Sequence, residues 1–192
     1  MISNKAKSID KVGASVLLSG VAVSTAGGSG VFTIQCFGQD GNLKWEEKSP
    51  NLVVNVGLKD MNAKYFSGSS YTAAWYLGLI TGPGSGTTIA AADTLASHAG
   101  WTEYTDYTGN RKAVTFGTAT TADPSVIDNS ASPSAFAITS PGGTIAGAFL
   151  CTVATGTVGV LFSASDFQSP GDRAVVNGDT LNVTYTFSLD AA

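Results

Sequence analysis

The sequence predicts a mainly β fold: a β-sandwich or jelly roll carrying one short helix and an extended N-terminal arm. Three observations predict it. Residues 181–189 (LNVTYTFSL) alternate strictly, with Leu181, Val183, Tyr185, Phe187 and Leu189 on one face, the period of a half-buried strand. Residues 71–80 (YTAAWYLGLI) form a dense apolar run between Gly68-Ser69-Ser70 and Thr81-Gly82-Pro83-Gly84, which reads as a buried central strand. Elsewhere, short β-branched runs recur between turns rich in Gly, Ser and Thr, the rhythm of a sandwich.

In chain order, residues 1–50 are expected to be an arm and a hairpin, and residues 51–192 the sandwich body. Residues 1–11 are polar, with Lys5, Lys7 and Lys11, and read as an extended arm. Residues 12–23 are strand-like, with Ser and Gly interleaved. Together these two stretches have the outline of a signal peptide, but Asp10 interrupts the basic part and Gly13, Ser15, Ser19 and Gly20 dilute the apolar part. The run is also too short to span a membrane. Residues 31–37 (VFTIQCF) and 43–48 (LKWEEK) read as two strands joined by a turn at Asp40-Gly41.

Asn51 is a candidate N-cap for a helix over residues 53–66, where Val54, Leu58, Met61 and Tyr65 recur at helical spacing. Gly68 stands where a C-terminal cap belongs, while Gly57 works against the first turns. Residues 90–107 read as a long irregular segment. Further strands are expected at 111–117, 126–129, 135–139, 145–153 and 157–163. Asn177-Gly178-Asp179 then turns the chain into the last strand.

Composition narrows the function classes. The 192 residues fit one domain plus an arm, and 43% hydrophobic content supports a sizeable core. Charged residues are only 12%, about half the usual share, so the surface is hydroxylated rather than charged and suits packing against other protein. Residues 1–66 carry seven lysines against five acids (net +2), and residues 67–192 three basic residues against nine acids (net −6). A basic front and an acidic body favour an arm laid on a neighbour. Nothing is basic enough for direct nucleic-acid binding, and no membrane partner is expected. Cys36 and Cys151 sit in apolar runs and read as buried free thiols in a reducing compartment, although spacing leaves a disulfide open.

The search for chemistry finds little. His98 is the lone histidine; Glu103 and Asp106 share its loop, but a lone loop histidine beside Trp101 is by default a packing residue. Residues 82–88 (GPGSGTT) lack the lysine of a phosphate loop. Asp93, Glu103, Asp106, Asp123 and Asp128 are spread over two loops without the spacing of a calcium site or a glycosidase pair. The expectation is no catalytic residue, no metal and no cofactor. Trp101, with Tyr104 and Tyr107 close behind it, is the candidate exposed platform or interface anchor, and Trp75 is assigned to the core.

The stretches NLVVNVGLKDMNAKYF and SGSSYTAAWYLGLI (51–80), ADTLASHAGWTEYTDY (92–107) and NGDTLNVTYTFSL (177–189) resemble virion structural proteins of tailed bacteriophages, most of all capsid cement (decoration) proteins. The resemblance covers most of residues 50–189 and its motifs are structural, so no catalytic site carries over. It implies a jelly-roll-like, non-enzymatic protein, assembled in the host cytoplasm, that sits on the outer capsid surface and ties capsomers together. Its implied partners are the major capsid protein and further copies of itself, as a homodimer or homotrimer. The interface residues expected from the chain's own pattern are Lys5, Lys7, Lys11, Trp101, Tyr104 and Tyr107. The alternative is a tail-associated receptor- or carbohydrate-binding module that uses the Trp101 loop. A glycan hydrolase would need an acid pair in a cleft.

Overall fold

A computed structural model describes residues 27–71, 73–81, 87–167 and 171–190. Two antiparallel sheets face each other as a β-sandwich. In the first, β1 (Gly27–Phe37) lies between β2 (Leu43–Pro50) and β13 (Thr180–Asp190); the far side of β13 pairs with β7 (Ser125–Asp128) and β8 (Ser134–Ala137). The second runs β3 (Leu52–Val53), β11 (Leu161–Asp166), β10 (Gly147–Cys151), β4 (Tyr76–Thr81), with β5 (Thr102–Tyr104) and β6 (Lys112–Ala113) both on the far side of β4. A small ribbon pairs β9 (Gly143–Ile145) with β12 (Arg173–Val175). One helix, α1 (Asn55–Phe66), packs on β11.

The core lies between the sheets. Phe32, Ile34 and Cys36 of β1 and Leu181, Val183 and Tyr185 of β13 meet Leu77 and Leu79 of β4 and Ala148 and Leu150 of β10. A second apolar layer covers the outer face of the second sheet: Ile80, Phe149, Cys151, Leu161 and Ala164 are roofed by Val54, Leu95 and Trp101. With both faces covered, β10 is buried at every position and its sequence loses the period of two. The same holds for Leu77–Ile80 of β4. Phe149 lies across Gly78, where a Cβ would come within 2.2 Å of its ring, so that strand position needs glycine.

The structure corrects several sequence expectations. Residues 27–50 do not stand apart with the arm: β1 pairs with β13 along its full length, so the hairpin is part of the body. Asn51 does not cap the helix. The sheet continues past it through β3, and its Nδ2 donates to the Tyr185 hydroxyl at 2.9 Å, so α1 starts after an uncapped Val54. Gly68 does sit beyond the helix end with φ +65°. The helical face predicted to be buried is buried only in part: Val54 is buried and Met61 packs against the core, but Leu58 and Tyr65 are exposed, and the one fully buried residue within the helix is Gly57, whose Cβ would lie 2.4 Å from the Phe162 carbonyl oxygen. The missing side chain lets the helix backbone touch the sheet. Residues 145–153 form two strands with Ala146 between them. Strand β4 is shorter than the 71–80 run, though central as expected. The strand expected at 12–23 lies outside the described residues.

Both thiols are buried and unpaired, Cys36 between the sheets and Cys151 on the far side of the second sheet. Burial, helped by Asp179, pushes the Cys36 thiol up to about 11 from 9.0. Burial, helped by Asp106, pushes the Tyr104 phenol up to about 12 from 10.0. Burial also raises Tyr107 and Tyr185. Each group is neutral when protonated, so the fold holds its proton longer than the unfolded chain does. That stability is complete below the unfolded values of 9.0 and 10.0 and is lost as pH climbs through the raised ones. The thermal midpoint is therefore expected to fall steadily above about pH 9. A midpoint flat to pH 12 by circular dichroism would contradict the burial of these four groups.

Candidate functional site

The three aromatics singled out from sequence are packed inside the fold. Trp101 is 3% exposed, and Tyr104 and Tyr107 are equally buried, so they form no exposed platform. The reason lies beneath the loop: the outer face of the second sheet is apolar and needs a roof, which Trp101 supplies by packing on Phe149 at 5.3 Å. Its indole N–H donates to Asp93 Oδ2 at 3.0 Å, and the same oxygen accepts Ala90 N–H at 3.0 Å. His98 stacks on the indole at 3.8 Å and its Nδ1 donates to the Trp101 carbonyl at 2.9 Å. Tyr107 sets its ring edge against Phe136 at 4.8 Å. Lys5, Lys7 and Lys11 lie outside the described residues.

Glu103 and Asp128 are engaged as well. Glu103 takes a two-pronged grip from Arg111, with Nε to Oε1 at 2.8 Å and Nη2 to Oε2 at 2.7 Å. Arg111 Nη1 also donates to the carbonyls of Val153 and Gly156 at 3.2 and 3.0 Å, tying that loop to the sheet. Asp128 accepts Ser130 N–H at 2.8 Å, and hydrogen bonds from the Ser130 hydroxyl and then from this N–H hold its carboxyl below the usual range. Among the described residues, no group of three His, Cys, Asp or Glu side chains could hold a metal ion. No helix among them is long and apolar enough to cross a membrane.

What stands open is an aromatic corner at one end of the sandwich. Tyr65 and Phe66, at the end of α1, are 83% and 78% exposed and meet edge to face at 4.9 Å. Tyr71 is half exposed, and its hydroxyl accepts the Trp75 indole N–H at 2.9 Å. Lys64 lies over both rings, 4.6 Å from the Tyr71 centroid and 5.7 Å from that of Trp75, and is neutralised by Asp60 at 2.7 Å. Below this rim, Tyr65, Tyr71, Trp75 and Phe162 line a cavity of about 250 Å³. A second, of about 170 Å³, shares Met61, Trp75 and Phe162 with it and reaches Phe116, Ile127 and Phe187. Trp75 therefore lines a groove rather than the closed core. The corner offers area, ring faces and one neutralised ion pair, which is binding chemistry.

Sequence reasoning assigned Tyr65 inward and passed over Phe66. A partial signal was available: adjacent residues on a helix point about 100° apart, so only one of two neighbouring aromatics can sit at the centre of the packed face. No protein-family model, no curated protein and no solved structure matches the chain.

Proposed function

We propose that this chain is a non-enzymatic virion structural protein that binds the outer surface of a phage capsid and cements neighbouring capsomers. The observation that carries the reading is the aromatic corner, Tyr65, Phe66 and Tyr71, held out on a β-sandwich whose candidate reactive side chains His98, Asp93 and Glu103 are all engaged internally. Exposed aromatics on a weakly charged body anchor protein–protein contacts. A shell repeats its surface many times, so modest contacts combine by avidity, above all if the protein is a homodimer or homotrimer. A protein that binds the mature shell and not its precursor stabilises it by mass action. The resemblance over residues 51–80, 92–107 and 177–189 supplies the class of partner, and a sandwich of this strand order is compatible with a jelly roll. In this reading Lys5, Lys7 and Lys11 reach onto the shell or a neighbouring copy.

The carbohydrate-binding alternative loses its platform, since Trp101 is buried. The replacement Tyr65→Ser with Phe66→Ser tests the capsid reading. Both side chains are mostly in solvent, so the thermal midpoint should hold, while co-sedimentation with mature shells should weaken about 10-fold or more, the effect of losing one interface hot spot. Undiminished binding would remove the corner from the interface.

A further inference from the structure

We propose that the groove of Met61, Trp75, Phe116, Ile127, Phe162 and Phe187, at the open end of the sandwich, is the docking site in cis for the chain's own residues 12–23. The core stops short of the end of β13. Leu181, Val183 and Tyr185 are fully buried, but along the same face Phe187 is only half-buried and Leu189 is 47% exposed. The first described residues stand at that same end. Gly27 and Gly28 pair with Asp190 and Leu189, and a Cβ on Gly28 would lie 3.1 Å from the Phe187 ring. The described chain therefore begins at the wall of the groove, with residues 1–26 preceding it in sequence.

Length and pattern fit this occupant. Val23 precedes Gly27 by four residues, at most about 14 Å of extended chain. So short a tether holds the run at high effective concentration, which favours the same chain over a second copy. Residues 12–23 carry no charge, and at strand period Val12, Ala14, Val16 and Leu18 share one face. The cavities of about 250 and 170 Å³ adjoin and are lined mostly by apolar side chains, so they suit successive side chains of an extended segment.

The test uses the full chain with p-benzoylphenylalanine in place of Phe116. Irradiation is expected to link it to a peptide within residues 12–23 of the same chain. The substitutions V16D and L18D together should abolish that link and raise the fluorescence of 1-anilinonaphthalene-8-sulfonate several-fold, while Ser15→Asp, on the opposite face, should change neither. Hydrogen exchange on the unsubstituted chain covers the case in which the photoreactive group disturbs the groove: residues 12–23 should be protected, and V16D/L18D should remove the protection. A link formed only between copies, a link elsewhere, dye binding equal in wild type and V16D/L18D, or full exchange of residues 12–23 at the earliest time would each overturn the proposal. No shell is present in these experiments, so their outcome is independent of shell binding.

Discussion

Replacing Trp101 with alanine is expected to destabilise the fold by roughly 3–5 kcal/mol, the range for removing a large buried aromatic. The indole fills the space over Phe149, carries the stacked His98 ring and donates to Asp93, which is itself buried. Its loss opens a cavity in the outer apolar layer and leaves Asp93 Oδ2 with only one of its two donors, Ala90 N–H. Urea denaturation followed by circular dichroism measures the effect. Trp101→Phe should recover most of the packing but not the hydrogen bond to Asp93, and so fall between the two. A Trp101→Ala protein as stable as the wild type, with a binding defect alone, would return Trp101 to the surface role its sequence suggests.

Arg111→Ala should cost about 3 kcal/mol, the low end for breaking a buried ion pair, because Glu103 keeps some contact with water. The loss has two parts. Glu103 is left as an uncompensated carboxylate, and the carbonyls of Val153 and Gly156 lose their donor. Adding Glu103→Gln to Arg111→Ala should therefore restore part of the stability, whereas two independent defects would simply add. Arg111→Lys should rescue poorly, since an ammonium lacks the fork that reaches a carboxylate and two carbonyls at once. Equal stability of wild type and Arg111→Ala would contradict the clamp.

The parts of this fold legible in the sequence are those where one residue pattern answers to one environment. Strand β13 alternates because one face meets the core, and the β1–β2 hairpin announces itself through Asp40-Gly41, with Gly41 at φ +76°. Strand β10 could not be delimited in the same way. It is covered on both faces, so its apolar run merges with that of β9. Strand β5 was missed because its residues Thr102–Tyr104 sit within a loop-like composition and pair only with the end of β4. Spacing locates helix α1 and half of the face it buries, Val54 and Met61, but not its closest contact with β11, which is made by a residue with no side chain, Gly57. The candidate site failed for a related reason. Trp101, Tyr104 and Tyr107 look like surface aromatics in a polar loop, but an apolar sheet face lies beneath that loop and takes Trp101 in, while Tyr104 and Tyr107 join the core between the sheets. Tyr65 looks like core by its helical spacing, but the helix has only a short stretch of sheet to cover, and Tyr65 and Phe66 at its end stay outside.

The measurement that bears most directly on the capsid reading is cryo-electron microscopy of the purified native virion. The account predicts density for this two-sheet sandwich at symmetry-related sites between capsomers on the outer shell, with Tyr65 and Phe66 turned into the contact. Density confined to the tail or its fibres, with a bare shell, would contradict it.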